Sequence, residues 1–449
     1  MDYLARLATS VHGARIDSLQ ASTIAASKLV FLDTIGAIVA GSALPENTRL
    51  ARMAAKRAPH GICTLAGHSM KADSLLATFT NATAGVALEM DEGNRLGGGH
   101  PAIHVIPGAL AVAEEMGAGG GRLLEAVIAG YEVGSRLGGA TLARPNVHSH
   151  GTWGTISTAA AVARLHDLPA GEIRHVINLS ASMSPANSWT PALEGATVRN
   201  AYPGRSGLEG VLAVDLHRAG FTALDDAPSD VYGTILADRF DPAEAVAGLG
   251  ESYRIERNYF KLHACCRMNH PALDAIMALR ALHRFTGDDV ARVHVTSIPF
   301  GLRMAETAPR TMLGAKFSIP YAVAAALVLG RTDTGAFDES VLGDPRIRSM
   351  AKRVEIAADA EMTLKRADYP TAHVRIALND GRVLSWSTGL VRGDAANPVS
   401  AEEIETKFLS LASGPLGERR AREIIVAVEK MDLLEDVRDL SALLVPVQA

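Results

Sequence analysis

A chain of 449 residues is too long for one core of ordinary size, so two domains are expected. Hydrophobic residues make up 48% and charged residues 21%, which excludes a disordered chain. With 44 basic against 49 acidic side chains and no long basic run, the electrostatic footprint of a nucleic-acid or anionic-membrane partner is missing.

Three cysteines, two of them adjacent at Cys265 and Cys266, provide no disulfide framework and match no common zinc or iron-sulfur spacing. A reducing cytoplasm is the expected location. The N-terminal Met-Asp-Tyr-Leu-Ala-Arg has an early acid and no apolar run of signal-peptide type. Ile24, Leu29, Leu32, Ile35, Ile38 and Val39 then recur near helical spacing and predict a buried helix over 21–40, with Gly41 as its stop. The same pattern predicts helices over 103–116, 123–137, 155–166, 172–183 and 206–219, so the first half is nearly all helix. Beyond about residue 285 the period changes. Val293-His294-Val295-Thr296 and Val374-Arg375-Ile376-Ala377-Leu378 alternate as half-buried strands do, and Asn379-Asp380-Gly381 has hairpin-turn chemistry. Ile319–Leu329 reads as a helix lying on that sheet. The longest apolar runs, such as Tyr321–Gly330, fall short of the roughly twenty residues of a membrane span, and no transmembrane segment is predicted. Ser400 with Glu403 makes a capping-box pattern, and helices are expected again near 418–430 and 435–444. The fold class is therefore mainly α: a large all-helical domain, discontinuous, from residues 1–261 together with 396–449, and a smaller α+β domain over 262–395.

Three polar clusters interrupt this pattern. The first reads Glu-Met-Asp-Glu-Gly-Asn-Arg-Leu-Gly-Gly-Gly-His-Pro from Glu89 to Pro101 and collects carboxylates and an imidazole, the usual acids and bases near neutral pH, around the flexible Gly97-Gly98-Gly99. On a helix Glu89 and Glu92 would share a face while Asp91 points elsewhere, free to tune a histidine. His100 precedes Pro101 and so sits at a helix N-terminus, where backbone N–H groups favour a substrate carboxylate. In the second cluster His148 and His150 alternate in a loop before Gly151-Thr152-Trp153-Gly154 and are predicted to face opposite ways; without a third ligand of standard spacing, a metal site ranks below acid–base or anion-binding roles. Arg199, Asn200, Tyr202 and Arg205 gather before a helix expected from Ser206, again suited to anions. In the third cluster Lys261 and Arg267 are candidates to hold carboxylates beside His263 and His270, and Cys265 and Cys266 read as small buried residues rather than nucleophiles. No dinucleotide fingerprint, Walker motif or zinc-protease helix is present in the sequence. Acid–base groups unaided by a cofactor suit proton abstraction beside a carboxylate, with cations stabilising an enediolate-like intermediate.

The chain resembles the MmgE/PrpD family, which contains 2-methylcitrate dehydratases, cis-aconitate decarboxylases and iminodisuccinate epimerases. The resemblance runs nearly end to end. Its motifs are Phe31-Leu32-Asp33-Thr34-Ile35-Gly36, the acidic segment with His100-Pro101, Ala129-Gly130-Tyr131-Glu132-Val133, Gly151-Thr152-Trp153-Gly154, Cys265-Cys266-Arg267 with His270-Pro271, Lys316-Phe317-Ser318-Ile319, and Asn397-Pro398 with Lys407-Phe408. It implies a large helical domain built from both chain ends, a smaller α+β lid domain, a homodimer, and a cofactor-free site in the cleft between domains. Carried over by motif, the acids of the family's Asp-Phe-Asp-Asp segment fall on Glu89, Asp91 and Glu92, and its histidines on His100 and His148; its lysine falls on Lys261. The chain departs from the pattern at Glu89, at Gly93 where threonine or serine is common, at Arg199 near a usual lysine, and at His148-Ser149-His150.

The resulting expectation is a cofactor-independent enzyme with no metal, acting on a small di- or tricarboxylate. His100 and His148 exchange protons, Asp91 tunes a histidine, and Lys261, Arg199 and Arg267 bind carboxylates, with Glu89, His150, Tyr202 and His270 lining the substrate site. Dehydration is the first expectation, with epimerisation, decarboxylation and a carboxylate-binding helical dimer as alternatives.

Overall fold

The computed structural model describes residues 2–362 and 371–446. Its first half is a stack of helices, among them α1 (Ala21–Ser42), α2 (Ser74–Val86), α3 (Pro101–Met116), α4 (Gly120–Gly139), α5 (Gly154–Leu165) and α6 (Ala201–Arg218). Local chemistry sets their starts. The Asp73 carboxylate caps α2 by accepting from the Leu76 amide, and Pro101 opens α3, where its missing N–H is no loss. Helix α5 packs between α4 and α6, which also lies on α2.

Strand β1 (Gly93–Asn94) pairs with the distant β2 (Asn258–Tyr259), two more short ladders join Cys63–Thr64 to Lys71–Ala72 and Thr141–Ala143 to Ala237–Phe240, and the remaining described strands form one four-stranded sheet. They are β3 (Val290–Ser297), β4 (Val354–Ala358), β5 (Ala372–Leu378) and β6 (Val383–Thr388), in the order β6-β5-β3-β4. Only the β3–β4 pair is parallel, and the Asn379-Asp380-Gly381 turn joins the antiparallel β5 and β6, with Gly381 at φ 90°. Helix α7 (His270–Leu282) lies on β5 and β6, α8 (Ile319–Leu329) packs on α7 and β4, and α9 (Ala401–Leu416), capped by Ser400 and Glu403, returns to pack on α1.

Two large apolar cores result, beside a small third cluster around Ala51, Cys63, Leu65 and Ala111. The larger runs through the helices before residue 261 and takes in Ile404, Phe408 and Leu440 from the C-terminal stretch, while the smaller is built almost wholly from residues 264–384. Ala37, Met90 and Ala192 reach into the smaller core, so the acidic segment lies at the seam.

Three expectations change. Helix α1 is long and apolar enough, by composition, to cross a membrane, contrary to the prediction from uninterrupted apolar runs; 67% of its most apolar window is buried within the fold, between α2 and α9. Gly41 does not stop α1 but lies inside it, because a side chain there would come within 1.9 Å of the Ala84 carbonyl oxygen where α1 and α2 cross. Helix α6 also begins at Ala201, ahead of the expected Ser206, so Tyr202 and Arg205 sit within its first turns rather than before them.

Candidate active site

Three buried lysines from distant parts of the chain converge on residues 87–91. Lys316 donates to the Ala87 carbonyl at 2.9 Å, and Lys407 of α9 donates to the Met90 carbonyl at 2.8 Å and to Asp33 of α1 at 2.6 Å. Lys261 bridges Glu89 and Asp91, at 3.0 Å to each carboxylate. Thus pinned, the chain leaves α2 and takes Glu89 through a left-handed conformation at φ 54°, a placement that costs about 1–3 kcal/mol in a residue with a side chain. Because the segment is not helical, the expected pairing reverses. Glu89 and Asp91, two apart, reach the same lysine, while Glu92 turns away to accept from the Ala102 amide at 2.7 Å and the Tyr131 hydroxyl at 3.0 Å.

The histidines form one cluster of fixed tautomers. A carbonyl oxygen can only accept, so His100, whose Nδ1 lies 2.6 Å from the Glu92 carbonyl and 3.0 Å from Asp91 Oδ2, carries a proton on Nδ1. When the ring is neutral, its Nε2 holds the lone pair. A backbone N–H can only donate, so His148 Nδ1, which takes the His150 amide at 2.9 Å, is the acceptor, and the neutral ring carries its proton on Nε2. Arg199 Nε–H is also directed at that Nε2, at 3.4 Å; a neutral ring accepts at only one nitrogen, and with the shorter His150 contact taking the lone pair, Arg199 and Nε2 meet as two donors. An oxygen atom of a carboxylate would satisfy both. His104 donates to the His100 carbonyl and accepts from the Gly151 amide, which ties the two histidine segments together.

His150 does not face away from His148 as expected; their ring centroids are 5.2 Å apart, because the chain bends at Ser149 instead of running extended. Its ring stacks on His100 at 4.3 Å, and among the described residues neither of its nitrogens has a hydrogen-bond partner.

A cavity of about 230 Å³ opens at the seam. Of the residues singled out from sequence, Glu89, His100, His148, Arg199 and Arg267 line it. Asp91, Lys261, His150, Tyr202 and His270 lie behind that lining. Lys261 is saturated by two carboxylates, Tyr202 stands edge-on behind the His148 ring, and His270 supports Arg267 at 3.2 Å while bonding the Cys265 carbonyl. Asp91 meets His100, as expected of a residue that tunes a histidine, while Lys261, Tyr202 and His270 direct their polar atoms to neighbouring protein groups. Sequence reasoning missed Asp394, which pairs with Arg267 at 2.7 Å and Arg95 at 3.4 Å, and the aromatic wall of Trp189, Tyr259 and Phe317. Phe317 stood inside a quoted motif; a lone aspartate ahead of Asn397-Pro398 carried no signal of its own.

Residues 5–237 match the MmgE/PrpD N-terminal domain and residues 263–433 the MmgE/PrpD C-terminal domain. The chain belongs to the MmgE/PrpD family. Similar proteins include a cis-aconitate decarboxylase of Aspergillus terreus, 25% identical over 95% of this chain and 93% of its own length. The human cis-aconitate decarboxylase is 24% identical over 97% of this chain and 93% of its own. A cis-aconitate decarboxylase-like protein of Aspergillus oryzae is 24% identical over 95% and 94%.

Electrostatically, this MmgE/PrpD site is a compensated cluster. Burial would raise the Asp91 carboxyl, but Lys261, His100 and Arg199 together hold it well below the carboxylate range; Arg199 and Lys261 do the same for Glu89 against its burial. Burial works against the Lys261 ammonium too, yet Asp91 and Glu89 keep it charged. Burial, and then the Arg199 charge, push His148 well below the usual imidazole value, so its ring stays neutral. Glu92, lacking a cation, is pushed up to about 8 by burial. Burial also raises both thiols, Cys266 to about 11, which leaves no thiolate nucleophile at neutral pH. Asp91, His100 and His150 do bring ligand atoms within 4.8 Å of one another, a set the sequence spacing did not reveal. Its carboxylate is already neutralised by Lys261, and His100 Nδ1, 3.0 Å away, carries a proton held by the Glu92 carbonyl, so a cation there would displace an existing charge balance.

Proposed function

We propose that this chain is a cofactor-independent lyase acting on a small di- or tricarboxylate. The observation that carries the reading is the opposed proton inventory of His100 and His148 across one cavity: a lone pair on one Nε2, an N–H on the other. In this reaction His100 Nε2 removes a proton from the carbon beside a substrate carboxylate, and Asp91 stabilises the imidazolium that forms. Negative charge moves into that carboxylate, whose oxygen accepts from Arg199 Nε–H and His148 Nε2–H. The hydroxyl on the neighbouring carbon then leaves as water with the proton returned by the His100 imidazolium, and a carbon–carbon double bond remains. His148 therefore acts as a neutral hydrogen-bond donor, a narrower role than the proton exchange first expected of it.

A second reading is decarboxylation of a cis-aconitate-type acid. It draws support from the similar proteins named above and from the aromatic wall of Trp189 and Phe317, which would desolvate a departing carboxylate. On this path His100 would start as the imidazolium, its Nε2 proton would be taken up by the electron pair of the broken carbon–carbon bond, and carbon dioxide would leave. Neither path is routed through a metal.

Proton NMR in deuterium oxide, with chelator-treated protein and a panel of citrate, 2-methylcitrate, cis-aconitate, itaconate and iminodisuccinate-type acids, tests both. Conversion of 2-methylcitrate or citrate to its unsaturated acid favours the dehydratase, and itaconate from cis-aconitate favours the decarboxylase. No exchange with any of them would overturn the lyase reading and leave a carboxylate-binding protein. We further propose that residues 262–395 act as an α+β lid over the cavity and that the chain is a cytoplasmic homodimer. Light scattering of the purified protein tests the dimer, and a single-chain mass would refute it.

A further inference from the structure

Gly93 has no room for a side chain. A Cβ there would lie 2.3 Å from the Tyr259 hydroxyl oxygen and 2.4 Å from the carbon that bears it, at the point where β1 pairs with β2 and Gly93 faces Tyr259 in register. The glycine is therefore what admits the tyrosine. Tyr259 is 6% exposed and lines the cavity, with its ring edge-on to His100 at 6.2 Å between centroids. The Arg267 guanidinium lies over its face at 4.5 Å, a cation–π contact that fixes the ring plane. Among the described residues the hydroxyl makes no hydrogen bond, and because the side chain lines the cavity that donor is free to meet a ligand. Burial keeps the phenol protonated, and so a donor.

From this geometry we propose that Tyr259 is a further substrate-contacting residue: its phenolic O–H donates to a carboxylate oxygen of the bound acid on the His100 side of the cavity. The proposal deepens the carboxylate-lyase reading and rests on it. The positions divide the work. Arg199 and His148 converge on one oxygen, while Tyr259, oriented by Arg267, supplies a neutral donor near the base, where a second cation would compete with the imidazolium for Asp91. Gly93 belongs to the same device, because any larger residue would push the phenol out of place.

Tyr259→Phe keeps the ring, its packing and the cation–π contact, and removes only the donor. Binding of tricarballylate, an unreactive tricarboxylate, is measured by calorimetry for the wild type, Tyr259→Phe and Gly93→Ala, together with kcat/KM for the acid the wild type converts. The expected result is binding and kcat/KM each about tenfold weaker in Tyr259→Phe at an unchanged melting temperature, and a similar loss in Gly93→Ala. Tyr259→Phe within twofold of wild type on both measures would overturn this proposal alone. A wild type that neither binds tricarballylate nor converts any acid of the panel would overturn the carboxylate reading and this proposal together.

Discussion

The acidic segment 87–104 and the basic segment 261–270 meet at one cavity but are built by different rules. The first is fixed through its backbone: its carbonyls take Lys316, Lys407 and the His100 Nδ1 proton, and its side chains are thereby aimed. The second is fixed through side-chain charge, with Lys261 held by Glu89 and Asp91, and Arg267 held by Asp394 and His270. Backbone anchoring survives the loss of one partner, because a carbonyl left without a cation still has other donors nearby. A buried charge stripped of its counter-charge does not. The acidic side should therefore tolerate substitutions that remove function and keep the fold, whereas the basic side should lose both.

The largest expected effect comes from His100→Gln, which removes the lone pair and spares the packing; the rate should fall by about 10²–10⁴-fold with little change in melting temperature. A comparable free-energy cost, expressed as stability, is expected from Lys261→Met. It leaves Glu89 and Asp91 facing each other without the ammonium, and urea unfolding should show a loss of about 3–5 kcal/mol. Adding Glu89→Gln to Lys261→Met should restore part of that loss; no restoration would mean that Arg199 alone compensates Glu89. His148→Gln should cost about 10²-fold in kcat, the usual effect of deleting one oxyanion donor, with the fold intact.

The smallest effect sharpens the comparison within the acidic segment itself. Glu92 is the one acid there without a cation, and its folded-state value of about 8 stands above the ordinary 4.5. The proton it retains favours the folded state, so its contribution is full below about pH 4.5 and is lost as the pH rises through about 8. Melting temperatures should fall between pH 6 and 9 by the equivalent of about 1–3 kcal/mol, and Glu92→Gln should flatten that slope. A slope that persists in Glu92→Gln would assign it to another group.

How much of this was legible in the sequence follows from the range of each interaction. Helical periodicity is local, so α3, α4, α5 and α9 were readable to within a few residues, as was the capping box at Ser400. Gly41 was misread because a glycine that ends a helix and one that lets two helices touch look alike until the second helix is in place. The residue types of the site were readable too, and five of the ten candidates line the cavity. Their division into lining and support was not, since it depends on which carboxylate meets Lys261 from 170 residues away. The histidine tautomers were out of reach altogether, being set by the Glu92 carbonyl and the His150 amide, groups that every residue possesses.

The central claim is that His100 is the base and His148 the neutral donor. Its most direct test is solvent deuterium exchange into the substrate carbon, followed by proton NMR for the wild type, His100→Gln and His148→Gln with the same acid. The account predicts exchange in the wild type, slower but measurable exchange in His148→Gln, and none in His100→Gln. Exchange at the wild-type rate in His100→Gln, with exchange lost in His148→Gln, would reverse the assignment and contradict the account.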